Sequence, residues 1–186
     1  MKTKFVLHGG GSFSSDKIDQ NKEFFSEILK DVPEGANVLL VPFAKDTDRI
    51  PDAITKIIEN FNNAKTQESI SFETASEEEF LHQVQSADIV YFHGGVSTRL
   101  LGVLKKFPDL IELLEGKIIA GESAGANVWG TIFFSPNANT VLDGFGVLPI
   151  KIIPHYSEEK KGRLDGIGEG LEEVFLSEYE HKIFYK

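Results

Sequence analysis

The segment G-E-S-A-G, Gly121 to Gly125, sets a serine among small residues, after the apolar run Lys117–Gly121 and before the helix-compatible stretch Ala124–Gly130. A serine on such a strand-to-helix turn presents its hydroxyl as a nucleophile, and small neighbours at Gly121, Ala124 and Gly125 let strand and helix approach. The first N–H groups of a helix have no partner inside it, so the Ala124 N–H is a candidate oxyanion donor beside Ser123. A plain turn ahead of a helix has the same composition; the place after a buried-type strand favours the chemical reading.

A serine needs a base, and the chain offers His8, His82, His93, His155 and His181. His82 falls inside a predicted helix of mixed polarity. His155, in I-I-P-H-Y, follows the apolar run Pro149–Ile153 and is expected on the same C-terminal sheet edge as Ser123, where open α/β sheets bind ligands. H-G-G at His93–Gly95 ends one apolar run and opens a helix. The Gly94 and Gly95 N–H groups can complete an oxyanion hole there, or the glycines can simply reverse the chain. H-G-G-G at His8–Gly11 has the same two readings, with the turn preferred. Glu122, inside the serine motif, is a candidate substrate-facing residue.

The elements that must position these groups alternate along the chain. Apolar runs at Lys4–His8, Asn37–Phe43, Ala87–Phe92, Lys117–Gly121 and Pro149–Ile153, with a weaker one at Gln67–Phe72, read as strands. Between them, Asp19–Lys30 and Pro51–Phe61 place Phe24, Phe25, Ile28 and Ile54, Ile57, Ile58, Phe61 at helical spacing. Ser76 before Glu77–Glu79 reads as a capping box, and Thr98–Phe107 as a helix that Pro108 stops. This alternation predicts one α/β domain over residues 1–186, a mostly parallel sheet with helices on both faces. Gly130–Asp143 and Tyr156–Gly170 read as surface loops, and Val174–Tyr185 as one strand or a hairpin at the sheet edge.

Composition narrows the chemistry. The 186 residues are 41% hydrophobic, enough for a substantial core. The absence of cysteine excludes thiolate catalysis and fits a cytoplasmic protein. No apolar run suggests a membrane span or signal peptide. With 29 acidic against 19 basic residues and a net charge of −10, nucleic acid is an unfavourable partner. A small substrate, no metal and no organic cofactor are expected.

Taken in order, A-D-I-V-Y-F-H-G-G with Leu100 and Leu101, G-E-S-A-G-A-N at Gly121–Asn127 and I-P-H-Y at Ile153–Tyr156, with V-P-F-A at Val41–Ala44, resemble the peptidase E family. That family comprises serine peptidases related to cyanophycinase, and the resemblance covers most of the chain. It implies a three-layer fold similar to class I glutamine amidotransferases and flavodoxin-like proteins, acting as monomer or homodimer. It further implies attack by Ser123 on a small peptide, proton relay by His155, and an acid near the C-terminus, Glu178 or Glu180, to orient the histidine. Members that remove N-terminal Asp from dipeptides use an arginine beyond the histidine, here Arg163 in K-K-G-R. The resemblance implies that Val96 and Ser97 face the substrate, and there the chain departs from the family, with Val96-Ser97 where Asn-Thr is usual; Gly166 lies near the place of a second arginine.

Two other readings remain at this stage. An α/β-hydrolase-type esterase would use Ser123, Asp165 and His181, with the early H-G-G-G mimicking a lipase oxyanion loop. A relative that only binds is the other.

Overall fold

The computed structural model describes residues 2–30, 32–65 and 69–186. Strand β1 (Lys4–His8) runs between β5 (Ile118–Glu122) and β10 (His181–Tyr185); beyond β5 lie β4 (Ile89–Phe92), β2 (Asn37–Val41) and β3 (Ser71–Thr74). All neighbours in this sheet are parallel except β10, which closes the β1 edge antiparallel. The register sets Leu7 and Phe92 opposite Gly121 and His8 opposite Glu122. Three motif-bearing loops therefore leave the sheet at one level.

Alternation along each strand sorts the core into two layers. Val6, Val38, Leu40, Ile89, Tyr91 and Ala120 pack with Phe24, Phe25 and Ile28 of α1 (Ile18–Leu29) and Ile57 and Phe61 of α2 (Ile50–Ala64). Phe5, Leu7, Leu39, Val41, Val90, Phe92 and Ile119 face the other way. They meet α3 (Phe80–Ser86), α4 (Ser97–Leu104), α5 (Leu110–Leu113), α6 (Ala124–Asn127) and a second sheet. The fold is thus a three-layer α/β architecture with a mostly parallel central sheet.

The second sheet corrects the reading of Gly130–Asp143 as a loop. Its order is β7 (Thr140–Asp143), β6 (Ile132–Ser135), β8 (Ile150–Pro154), β9 (Glu172–Leu176). Residues 132–135 are all buried, so β6 lacks the alternation that marks a half-exposed strand. Val174–Tyr185 is likewise neither one strand nor a hairpin: β9 pairs parallel with β8, while β10 joins the other sheet. The weak strand at Gln67–Phe72 is displaced to Ser71–Thr74, its first two residues lying outside the described residues. The capping box at Ser76 is not formed as expected: α3 begins at Phe80 with no side-chain cap, and although Ser76 Oγ accepts from the Glu79 N–H at 3.3 Å, the Ser76 N–H donates to Gln83 at 3.0 Å instead of to Glu79.

The loop after β1 is fixed from below. Asn21 of α1 donates to the Ser12 carbonyl at 2.9 Å, and Asn60 of α2 donates to the Phe13 carbonyl at 2.9 Å. Each amide stands one turn along from Lys17 or Lys56, whose carbonyl it also meets. Two buried asparagines thereby satisfy loop carbonyls that the helix packing would otherwise strand from water.

Candidate active site

Ser123 sits between β5 and α6 with φ 52 and ψ −107, a conformation L-residues rarely adopt. Its N–H donates to the His8 carbonyl at 3.0 Å, and its carbonyl accepts from Ala126 and Asn127, each at 3.0 Å. These bonds hold a turn that costs about 1–3 kcal/mol. Gly125 is required behind it, since a Cβ there would overlap the Phe92 carbonyl.

His155 follows β8, also at positive φ, 48, with its N–H on the Gly9 carbonyl at 2.7 Å. Its Nε2 lies 3.1 Å from Ser123 Oγ and its Nδ1 3.3 Å from Glu178 Oε1. The tautomer with the proton on Nδ1 satisfies both contacts, donating to the carboxylate and accepting from the hydroxyl. The pair is half open to water, the His155 side chain 36% exposed and Glu178 57%, so it adds little to stability.

The two candidate acids separate cleanly. Glu178 reaches the imidazole, whereas Glu180 turns back, its carboxylate accepting from the Ser177 N–H at 2.8 Å. Tyr179 between them has φ 67. Its N–H donates to the Gly10 carbonyl at 2.9 Å, and its hydroxyl accepts from the Ser12 N–H at 3.2 Å. Of the four non-glycine residues at positive φ among those described, three (Ser123, His155 and Tyr179) meet here.

The H-G-G-G segment turns against the His155 ring. Gly10 has φ 94, and a Cβ on it would run into the His155 ring. Its N–H donates to His8 Nδ1 at 3.1 Å. His8, packed against Phe24 at 4.4 Å between ring centroids, is kept neutral: burial lowers its pKa to about 3, helped by His181 and His155.

Ser123 and His155 open onto a cavity of about 410 Å³ whose wall includes Gly94, Gly95, Ser97, Glu122, Asn127, Lys45 and Lys160. Neither the Gly95 N–H nor the Ala124 N–H has a partner among the described residues. Gly94 differs, for its N–H faces the Glu122 carboxyl. Burial raises the pKa of that carboxyl, against Lys45 and the Gly94 N–H. Asn127 donates to Ser97 Oγ at 3.1 Å. Val96 gives its N–H to the Ala44 carbonyl at 2.9 Å and is not part of the cavity wall.

Arg163 is displaced from its expected place. Its guanidinium stacks on Phe134, 5.1 Å from the ring centroid, outside the cavity, and Lys160 takes the position beside His155. The esterase order is not assembled either, because the imidazole on Ser123 belongs to His155 while His181 pairs opposite His8. Lys45 escaped the sequence reading although it follows β2 at the motif-bearing edge, two residues past P-F. Asn127 stood inside the serine motif, but nothing in its type showed that it would bond Ser97.

A mostly parallel α/β sheet with a serine on a strand-to-helix turn and an imidazole within hydrogen-bond reach marks a hydrolase. The chain belongs to Peptidase family S51, which matches residues 5–177. It is similar in fold to a peptidase from an acI-B1 Actinobacterium, at TM-score 0.68 and 19% identity over 99% of this chain and 84% of that one. It is also similar to a candidate peptidase E from Listeria monocytogenes EGD-e, at TM-score 0.71 and 16% identity over 100% and 98%. No curated protein matches. Among the described residues, no helix is long and apolar enough to cross a membrane.

Proposed function

We propose that this protein is a serine peptidase that cleaves small peptides through an acyl-enzyme, with Ser123 as nucleophile, His155 as base and Glu178 as the acid that orients it. The observation that carries the reading is the chain of contacts from Glu178 through both His155 nitrogens to Ser123 Oγ, at 3.3 and 3.1 Å. His155 Nε2 takes the serine proton as Oγ attacks the scissile carbonyl, and Glu178 favours the imidazolium that forms. The Gly95 and Ala124 N–H groups, unpartnered among the described residues, receive the developing oxyanion. The imidazolium then protonates the leaving amine, and water, activated by the same imidazole, releases the acyl group.

An acidic residue on the acyl side, as in Asp-X or Glu-X, finds support in Lys45 and Arg49. Neither side chain makes an ion pair or hydrogen bond among the described residues, although each backbone N–H is bonded within its turn. Both line a second cavity of about 220 Å³ that shares Gly11, Lys45 and Glu122 with the first. Its floor is His93, buried with both ring nitrogens unpartnered among the described residues and held neutral, its pKa lowered by burial to about 3. In this reading Lys45 and Arg49 replace Arg163 as receivers of the acid.

The test is hydrolysis of a panel of dipeptides and aminoacyl anilides, including Asp-X and Glu-X, by wild type and Ser123→Ala. Turnover is expected to fall roughly 10³-fold or more in the variant, with the fold intact. Equal turnover by both proteins, or none by wild type on any member, would refute the proposal.

A further inference from the structure

Lys160 ends the short 3-10 turn Glu158–Lys160 that follows β8, and its side chain folds back along the path the backbone has just taken. Its Nζ donates to the His155 carbonyl at 2.5 Å and reaches the Pro154 carbonyl at 3.4 Å, and the side chain lines the Ser123 cavity. This is a costly place for an ammonium. Neutral carbonyls do not cancel its charge, and burial lowers its pKa against the pull of Glu178 and Glu159. The next residue shows the alternative, for Lys161 extends to solvent beside Glu158, 70% exposed.

The carbonyl that Lys160 grips belongs to a residue held at φ 48. Such a backbone persists only where its surroundings over-determine it. The Gly9 carbonyl holds the His155 N–H, Gly10 blocks one side of the ring, and Glu178 and Ser123 take the two ring nitrogens. The His155 carbonyl is the remaining handle, and Lys160 holds it.

Building on the Ser123–His155 reading, we infer that Lys160 is a positioning residue for the base: its ammonium locks the His155 carbonyl, and with it the angle at which the imidazole meets Ser123. The charged and titratable groups around His155 are few. Glu178 approaches from the turn before β10, Lys160 from the loop after β8, and His8 from β1, the last kept neutral with a pKa of about 3.

The experiment compares wild type with Lys160→Met and Lys160→Arg, and includes His155→Gln as a control. It measures kcat and KM on the best substrate of the panel, the rate at which a fluorophosphonate labels Ser123, and the thermal midpoint. In Lys160→Met, kcat and the labelling rate should fall together by roughly 10- to 100-fold with KM little changed. Lys160→Arg should recover much of both.

Wild-type kcat and labelling in Lys160→Met would overturn the inference. So would an effect confined to KM, which would make Lys160 a substrate contact. A loss with no Arg rescue would reduce Lys160 to a structural residue. If wild type is not labelled, or if His155→Gln labels at the wild-type rate, the Ser–His reading itself fails and this inference falls with it.

Discussion

Two histidine–glycine segments end neighbouring parts of the sheet, H-G-G-G after β1 and H-G-G after β4, and they are put to different uses. Both histidines are buried and both are held neutral with a pKa of about 3. His8 accepts from the Gly10 N–H and so shapes a loop that cups the His155 ring. The His93 ring nitrogens have no partner among the described residues; behind it the Gly94 N–H faces Glu122, and Gly95, its N–H unpartnered among those residues, lines the cavity. Nearly the same tripeptide therefore packs on the His155 ring in one place and on Glu122, beside Ser123, in the other. What separates them is the part of the chain that docks on each, β8 and the turn before β10 on the first, the end of β5 on the second.

The sharpest way to break this comparison is to add one methyl group to each loop. Gly10→Ala places a Cβ on the His155 ring, at a φ of 94 that alanine tolerates poorly, and should lower turnover and Ser123 labelling by roughly 100-fold or more. Gly94→Ala directs its Cβ at the Glu122 carboxyl instead. It should disturb substrate turnover while leaving Ser123 labelling within a few-fold of wild type. Equal losses of labelling in the two variants would erase the distinction between the loops.

A smaller effect distinguishes the acids on the turn that closes the first loop. Glu178→Gln removes the charge that favours imidazolium, and should lower kcat roughly 10- to 100-fold, a moderate loss because the carboxylate is 57% exposed and water shares its task. Glu180→Gln keeps an oxygen for the Ser177 N–H and should stay within about twofold of wild type. A ranking in the opposite order would move the triad acid to Glu180.

How far these roles were legible in the sequence follows from where their causes lie. Strand β1 has the predicted bounds, and Ser123 and His155 could be placed on one edge because short apolar runs closed by Gly, Pro or a polar residue mark the C-terminal edge of a parallel sheet. That edge is a local signal. The choice between Glu178 and Glu180 is not local: it depends on Tyr179 adopting positive φ, which in turn depends on the Gly10 carbonyl waiting at the other end of the chain. Arg163 lies away from the cavity for a similar reason, since the loop after His155 tightens into a turn that brings Lys160 back to the His155 carbonyl and leaves Arg163 on Phe134. Strand β6 was missed because a strand buried on both faces carries no alternation to read.

The last expectation concerns stability and bears least on turnover. His8 and His93 titrate at about 3 in the folded protein against 6.5 for the free side chain. Between those values the unfolded chain binds the more protons, so both histidines favour the fold above pH 6.5, and that contribution is lost progressively as pH falls toward 3. Glu122 works in the opposite sense. Burial raises its pKa above 4.5, so its contribution favours the fold at low pH and is lost as pH rises through its folded value. With two groups against one, the urea midpoint should drop as pH falls below 6.5. His93→Phe should flatten that slope, and Glu122→Gln should steepen it. A His93→Phe slope equal to wild type would mean that His93 already finds a proton acceptor when folded, and the contrast between a partnered His8 and an unpartnered His93 would have to be abandoned.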